Sequence, residues 1–284
     1  TGSFCTLGVS AQTACAAGTY QPSPSQSSCA TCPAGSFCGS GTVTPSTCPA
    51  GYFCAAGSST GTTSPCPLGT YSSATGLSSA SQCTNCTAGN YCGSTALTAP
   101  TGSCAAGYQC FVGSSTPTPT NNVTGAICPT GAYCPAGASA PTLCSPGTFA
   151  NTTANTQASD CRNCVAGFTC PNTGTVFPTR LCDAGFVCPA GTAVASSLCP
   201  TGSFCPLGSA SARPCNAGSY QNVTGASSCV TCPAGFFCGA NTISPTVCPA
   251  GYYCPTSSTS GVANPCPPGT FSSATGLTAI GQCR

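Results

Sequence analysis

Charge is what this sequence most lacks. Its 284 residues include four Arg, no Lys, two Asp, no Glu and no His, so 2% of the chain is charged. Soluble domains usually carry about a quarter. General acid–base catalysis draws mainly on His, Asp, Glu and Lys, and here only Asp160 and Asp183 are on offer. Two Asp so far apart do not make the clustered oxygen cage that calcium needs. Nucleic acid calls for a basic surface, and Arg162, Arg180, Arg213 and Arg284 read as too few and too scattered. The composition therefore predicts a non-enzyme without metal, cofactor, nucleic acid or small-molecule substrate. Met and Trp are also missing. No apolar run approaches the ~20 residues that span a bilayer, and Gly and Pro punctuate the chain too often for a useful amphipathic helix.

What is abundant is Cys, with 31 residues, beside 35 Gly and 27 Pro. Cysteine at about 11% marks a disulfide scaffold, which places the chain in an oxidising, extracellular or cell-surface setting. Zinc is the rival use. Four C-x-x-C pairs occur, at Cys29/Cys32, Cys83/Cys86, Cys161/Cys164 and Cys229/Cys232, but intracellular zinc modules commonly mix in His and carry many charges. Sequons at Asn85, Asn122, Asn151 and Asn222 point the same way and predict N-glycans. The run Ser115-Thr-Pro-Thr-Pro-Thr120 has the composition of an O-glycosylated stretch.

Internal repeats carry the architecture. The motif Cys-x-x-Gly, with an aromatic one or two places on, recurs throughout. Ten copies close with a second Cys six positions later, as in CPAGSFC at Cys32–Cys38 and CPAGYFC at Cys48–Cys54. Their equivalents begin at Cys86, Cys104, Cys128, Cys164, Cys182, Cys199, Cys232 and Cys248. Five longer copies run to a distant Cys: Cys15 to Cys29, Cys66 to Cys83, Cys144 to Cys161, Cys215 to Cys229 and Cys266 to Cys283. Cys5 alone is left over, ending a half-motif whose other Cys would precede Thr1. The chain is accordingly expected to continue in both directions.

A second periodicity overlies the first. Residues 1–84 align with 201–284 without a gap at an offset of 200, and all nine Cys coincide. This divides the chain into 1–84, a first copy of the super-repeat; 85–200, its remainder; and 201–284, a second copy of 1–84. Units this small bury no core, so disulfides replace one. The motif Gly permits a positive φ or a close backbone approach, and the Pro after many first Cys keeps the segment out of helices. The expected fold is a small disulfide-rich repeat array: an elongated rod of short β-hairpins and turns, almost without helix and without a single hydrophobic core. Each unit should touch only its neighbours, with aromatics such as Phe37, Tyr91 and Phe271 lying over neighbouring disulfides.

The stretch Cys66-Pro-Leu-Gly-Thr-Tyr-Ser-Ser-Ala-Thr-Gly-Leu-Ser-Ser-Ala-Ser-Gln-Cys83-Thr-Asn-Cys86 resembles the GCC2/GCC3 cysteine-rich repeat, also called the ephrin-receptor-like repeat. The match recurs at Cys266–Cys283 and more loosely at the other three long units. Charge-poor arrays of such repeats are similar to giant surface proteins of algae and protists, including those of flagellar hair filaments (mastigonemes). The resemblance implies a structural subunit of an extracellular glycosylated filament, partnered by copies of itself or related repeat chains; the stalk or ectodomain of an adhesion or recognition protein is the alternative. Each long unit is expected to close on itself. For the short units two pairings stand: within the unit, as Cys32–Cys38 and Cys48–Cys54, or interlocked, as Cys32–Cys48 with Cys38–Cys54. Counting favours the first, because interlocking leaves an odd unit in each group of three.

Overall fold

The structure, a computed structural model, describes residues 1–8 and 10–284. Among them there is no α-helix, only short strands and three single-turn 3-10 segments at Ala80–Gln82, Ala158–Asp160 and Ile280–Gln282. The chain forms two compact units. The first comprises Thr1–Thr142 with Thr152–Asp160, and the second Leu143–Asn151 with Cys161–Arg284. In the first, six antiparallel hairpins follow one another, from Ser3–Phe4 with Thr13–Ala14 to Tyr108–Cys110 with Gly125–Ile127. The second also holds six, from Thr148–Phe149 with Arg162–Asn163 to Phe236–Phe237 with Thr246–Val247.

Every hairpin has the same origin in sequence. Its first strand begins at the residue after the motif Gly, and its second ends at the residue before the next motif Cys. The turn ahead of the first strand shows why Gly is required. Ser36 N–H donates to the Pro33 carbonyl at 3.1 Å, closing a four-residue turn whose third position, Gly35, has φ +84°. Such a turn is open to Gly and strained for other residues. A second turn of this kind follows the second Cys, where Ser58 N–H donates to the Ala55 carbonyl across Gly57, φ +81°.

Successive units are joined by four backbone hydrogen bonds. Between the Cys32 and Cys48 units, Cys48 N–H donates to Gly35 O (2.9 Å) and Gly35 N–H to Cys54 O (2.8 Å). Cys38 N–H donates to Ser58 O (3.0 Å), and Gly57 N–H to Cys32 O (2.9 Å). The same four bonds join the Cys232 and Cys248 units in the other half of the chain, at 2.8 to 2.9 Å, with Ser257 in the place of Gly57. Contact also extends further than nearest neighbours. A Cβ on Gly35 would lie 2.6 Å from the carbonyl oxygen of Gly76, which follows the Cys66 motif two units on. The expectation of neighbour-only contact is therefore too narrow, because the left-handed turn of one unit sends its carbonyl onto the motif Gly two units earlier.

The core consists of sulfur. Most half-cystines are completely buried, while other buried apolar side chains are few: Leu77 beside Cys66 and Cys83, Ala132 and Ala138 beside Cys128 and Cys134, and Phe149, Ala150 and Leu277 elsewhere. Phe53 packs on the Cys66–Cys83 cluster. Other rings lie against glycine backbone. Phe37 covers Gly61, Phe237 covers Gly261, and Tyr91 lies against Gly93 and Gly102, while Phe271 is 77% exposed. Glycine is needed at Gly61 for space alone, since a Cβ there would fall 2.7 Å from the Phe37 ring. Tyr91 thus lies on the linker after its own unit, and Phe37 and Phe237 on the linker after the next one, where Gly61 O is 3.9 Å from the Cys48 sulfur.

Candidate functional surface

Fifteen disulfides staple the repeats, each within one unit. The long units close as Cys15–Cys29, Cys66–Cys83, Cys144–Cys161, Cys215–Cys229 and Cys266–Cys283. Cys32 is bonded to Cys38 and Cys48 to Cys54, and the other eight short units follow suit. The two Cys of each C-x-x-C pair thereby belong to different bridges: Cys29 to Cys15, and Cys32 to Cys38. Among the described residues no group of three His, Cys, Asp or Glu is placed to hold a metal ion, and no helix is long and apolar enough to cross a membrane. Cys5 is exposed and unbridged.

The four sequon asparagines are all exposed, in different settings. Asn85 is the last residue of a strand, ahead of the buried Cys86. Asn122 stands at a turn with φ +57°, where the Asn121 side chain accepts from the amides of Val123 and Thr124. Asn222 follows Gln221, whose buried amide side chain donates to Ser228 O and accepts from Val223 N–H. The Ser115–Thr120 run is folded back rather than loose. Pro119 is fully buried, and the Pro117 carbonyl accepts from Ala105 N–H at 2.9 Å. Ser115, Thr118 and Thr120 still face outward.

The two acids serve local ends. Asp160 ends a 3-10 turn and accepts from the backbone amides of Thr156 (2.7 Å) and Gln157 (3.1 Å). These bonds, that to Thr156 foremost, hold its carboxyl below the ordinary carboxylate range. Gln82 and Gln282 close their own long units in the same way, taking the amides of Ser78 and Ser79, and of Thr278 and Ala279. Asp183 pairs with Arg180 at 3.3 Å on the surface.

The chain matches no family model and no curated protein. What it offers a partner must be read from its own surface. The most regular feature is the second strand of each hairpin, exposed at both residues in ten of the twelve hairpins described, the Gly102–Ser103 and Gly125–Ile127 strands being partly covered. The 200-residue copies reproduce this surface in detail. Tyr20 bridges Thr42 and Tyr220 bridges Thr242; Phe53 bridges Leu77 and Tyr253 bridges Leu277. Gln21 and Gln221 make the same pair of side-chain bonds at distances within 0.1 Å of each other. These matching contacts hold despite substitutions between the copies.

Proposed function

We propose that this chain is a structural segment of an extracellular, glycosylated filament, built by packing equivalent repeat surfaces of neighbouring chains against one another. The observation that carries the reading is the recurrence of the same bonded local surface in residues 1–84 and 201–284. Equivalent surfaces at a fixed offset let one contact repeat many times, which is the condition for open assembly. The near absence of charge leaves little electrostatic repulsion to oppose it. Fifteen disulfides suit an oxidising exterior, and the exposed sequons suit N-glycans on that exterior. The resemblance of the Cys66–Cys86 stretch to ephrin-receptor-like repeats, and through them to flagellar hair and surface fibrils, agrees with it. No catalytic role, cofactor or small-molecule substrate is invoked.

Electron microscopy of the native material tests the reading. Fibres whose axial period is tied to the 200-residue block support it, and isolated monomers at all concentrations refute it. The adhesion-stalk alternative rests on residues 85–200, which have no copy in this chain and hold the longest linker, between Cys110 and Cys128. A specific soluble ligand for that segment would favour it.

A further inference from the structure

All four arginines occupy one position of the repeat, and all fall in the second compact unit. Arg162, Arg180 and Arg213 each stand two residues before a motif Cys, on the second strand of a hairpin. They pair with Phe149, Thr169 and Phe204, in each case the fifth residue after the preceding motif Cys. Arg284 fills the same place, exchanging backbone hydrogen bonds with Phe271 at 2.8 and 3.1 Å, as Thr84 pairs with Tyr71. Four arginines scattered over the chain would rarely all meet one position of a unit this long.

The next residue along each strand shows which way this position faces. Asn163 and Leu181, which follow Arg162 and Arg180, lie over the left-handed Gly191 and Gly208, as Leu143 and Leu198 at the same strand position lie over Gly174 and Gly225. Successive strand residues point to opposite faces, so this strand position, that of Arg162 and Arg180 included, stands on the other face, away from that contact. All four arginines are exposed. Among the described residues the one ion pair is Arg180 with Asp183, and the carboxylate of Asp160, the other acid of the chain, is taken up by the amides of Thr156 and Gln157. Three guanidinium groups therefore stand outside any ion pair, on a surface with few other charges. Cross-strand neighbours have Cβ atoms about 5 Å apart, so Phe149, Phe204 and Phe271 flank the stems of Arg162, Arg213 and Arg284.

We infer that this row of arginines is a binding edge for a linear anionic polysaccharide, one bearing sulfate or carboxylate groups. A planar guanidinium matches either group through paired N–H donors. Charges set apart by one, two and four hairpins along the unit suit a flexible polyanion that tracks the row, rather than a compact ligand needing convergent donors. A disulfide-bearing chain meets such polymers outside the cell, where nucleic acid is scarce. The inference goes beyond filament assembly and stands without it, since it concerns the second unit alone.

Dextran sulfate in solution, with the whole chain, is the test. Binding should weaken with salt by counterion release, a fourfold rise costing about thirtyfold or more in affinity for three to four contacts. Replacing all four arginines by Gln should abolish it, and R162Q or R213Q alone should each lower the salt slope by about one. D183N, which frees Arg180, should tighten binding. A charge-matched variant decides between register and net charge: the quadruple Gln chain with Arg placed at the exposed Thr173, Ser211, Thr256 and Ser273. Its binding should fall at least tenfold below that of the original chain. Equal binding by the relocated variant, no binding by the original chain, or tighter binding of a single-stranded polynucleotide at equal charge would each overturn the inference. The single variants keep it testable if the multiple ones misfold.

Discussion

Two glycines that look alike in sequence should respond very differently to one methyl group. Gly35 and Gly76 both have positive φ, +84° and +76°. At Gly76 a Cβ meets nothing nearer than the Thr47 methyl at 3.5 Å. Gly76→Ala then carries only the left-handed penalty, about 1 kcal/mol, partly offset by the reduced freedom of the unfolded chain. Ala96 and Ala154 already occupy the equivalent position at φ +61°, which shows that the cost is bearable. At Gly35 the new Cβ falls 2.6 Å from the Gly76 oxygen and 3.4 Å from its carbon. That carbonyl is backbone, tied at Gly76 N–H to Cys48 O, so the overlap is relieved only by moving the turn. Adding overpacking of about 2 kcal/mol to the φ penalty gives about 3 kcal/mol for Gly35→Ala. Native-state hydrogen exchange of the Cys48 amide, which donates to Gly35 O, reads the difference. Protection should fall about a hundredfold in Gly35→Ala, since every 1.4 kcal/mol is tenfold, and less than tenfold in Gly76→Ala. Equal losses in the two variants would refute the claim that close approach, rather than φ, makes the motif glycine necessary.

Three further outcomes follow from the packing. Opening a disulfide should cost more in a long unit than in a short one: by loop-closure entropy about 3 kcal/mol for Cys66–Cys83 and about 2 kcal/mol for Cys48–Cys54 as paired Ser variants, compared by thermal denaturation. Leu77→Ala removes the buried apolar side chain beside Cys66, Cys83 and Phe53 and should lower stability by about 2 to 3 kcal/mol, with Leu277→Ala similar, as denaturant titration would show. Asp160 has a folded pKa below its unfolded value, so its contribution is full above the ordinary carboxylate range and lost as pH falls through the depressed folded value. Exchange of the Thr156 and Gln157 amides should accelerate in that acidic window, whereas the matching Ser78 and Ser79 amides, held by the neutral Gln82, should show no such step.

Cysteine and glycine spacing made much of this fold legible. The disulfide-rich array of short hairpins could be read from the repeated motif because Cys, Gly and Pro have few other uses at that density. Three features escaped. The second left-handed position of each unit carries Gly57, Ala96, Asn241 or Ser257 as the unit varies, so no single residue type announces it. The reach of a motif glycine to a residue two units on is a matter of how the chain coils, and no local pattern encodes that. The arginines seemed scattered when measured along the chain. Three of them share a position only when measured from the next motif Cys, and the recurring Arg-x-Cys at 162–164, 180–182 and 213–215 was the available signal; Arg284 joins them through its pairing with Phe271.

The reach of the motif glycine also sets a timetable for a chain that enters an oxidising compartment from its N-terminus. Cys32 and Cys38 are six residues apart and can bond as soon as both emerge. The carbonyl that comes to rest on Gly35 belongs to Gly76, 41 positions later. Covalent closure is thus settled by neighbours, while packing waits for two more units to arrive. A growing chain would carry a trailing zone of units already bridged but not yet seated, advancing with synthesis, and so little opportunity for cysteines of distant units to find one another.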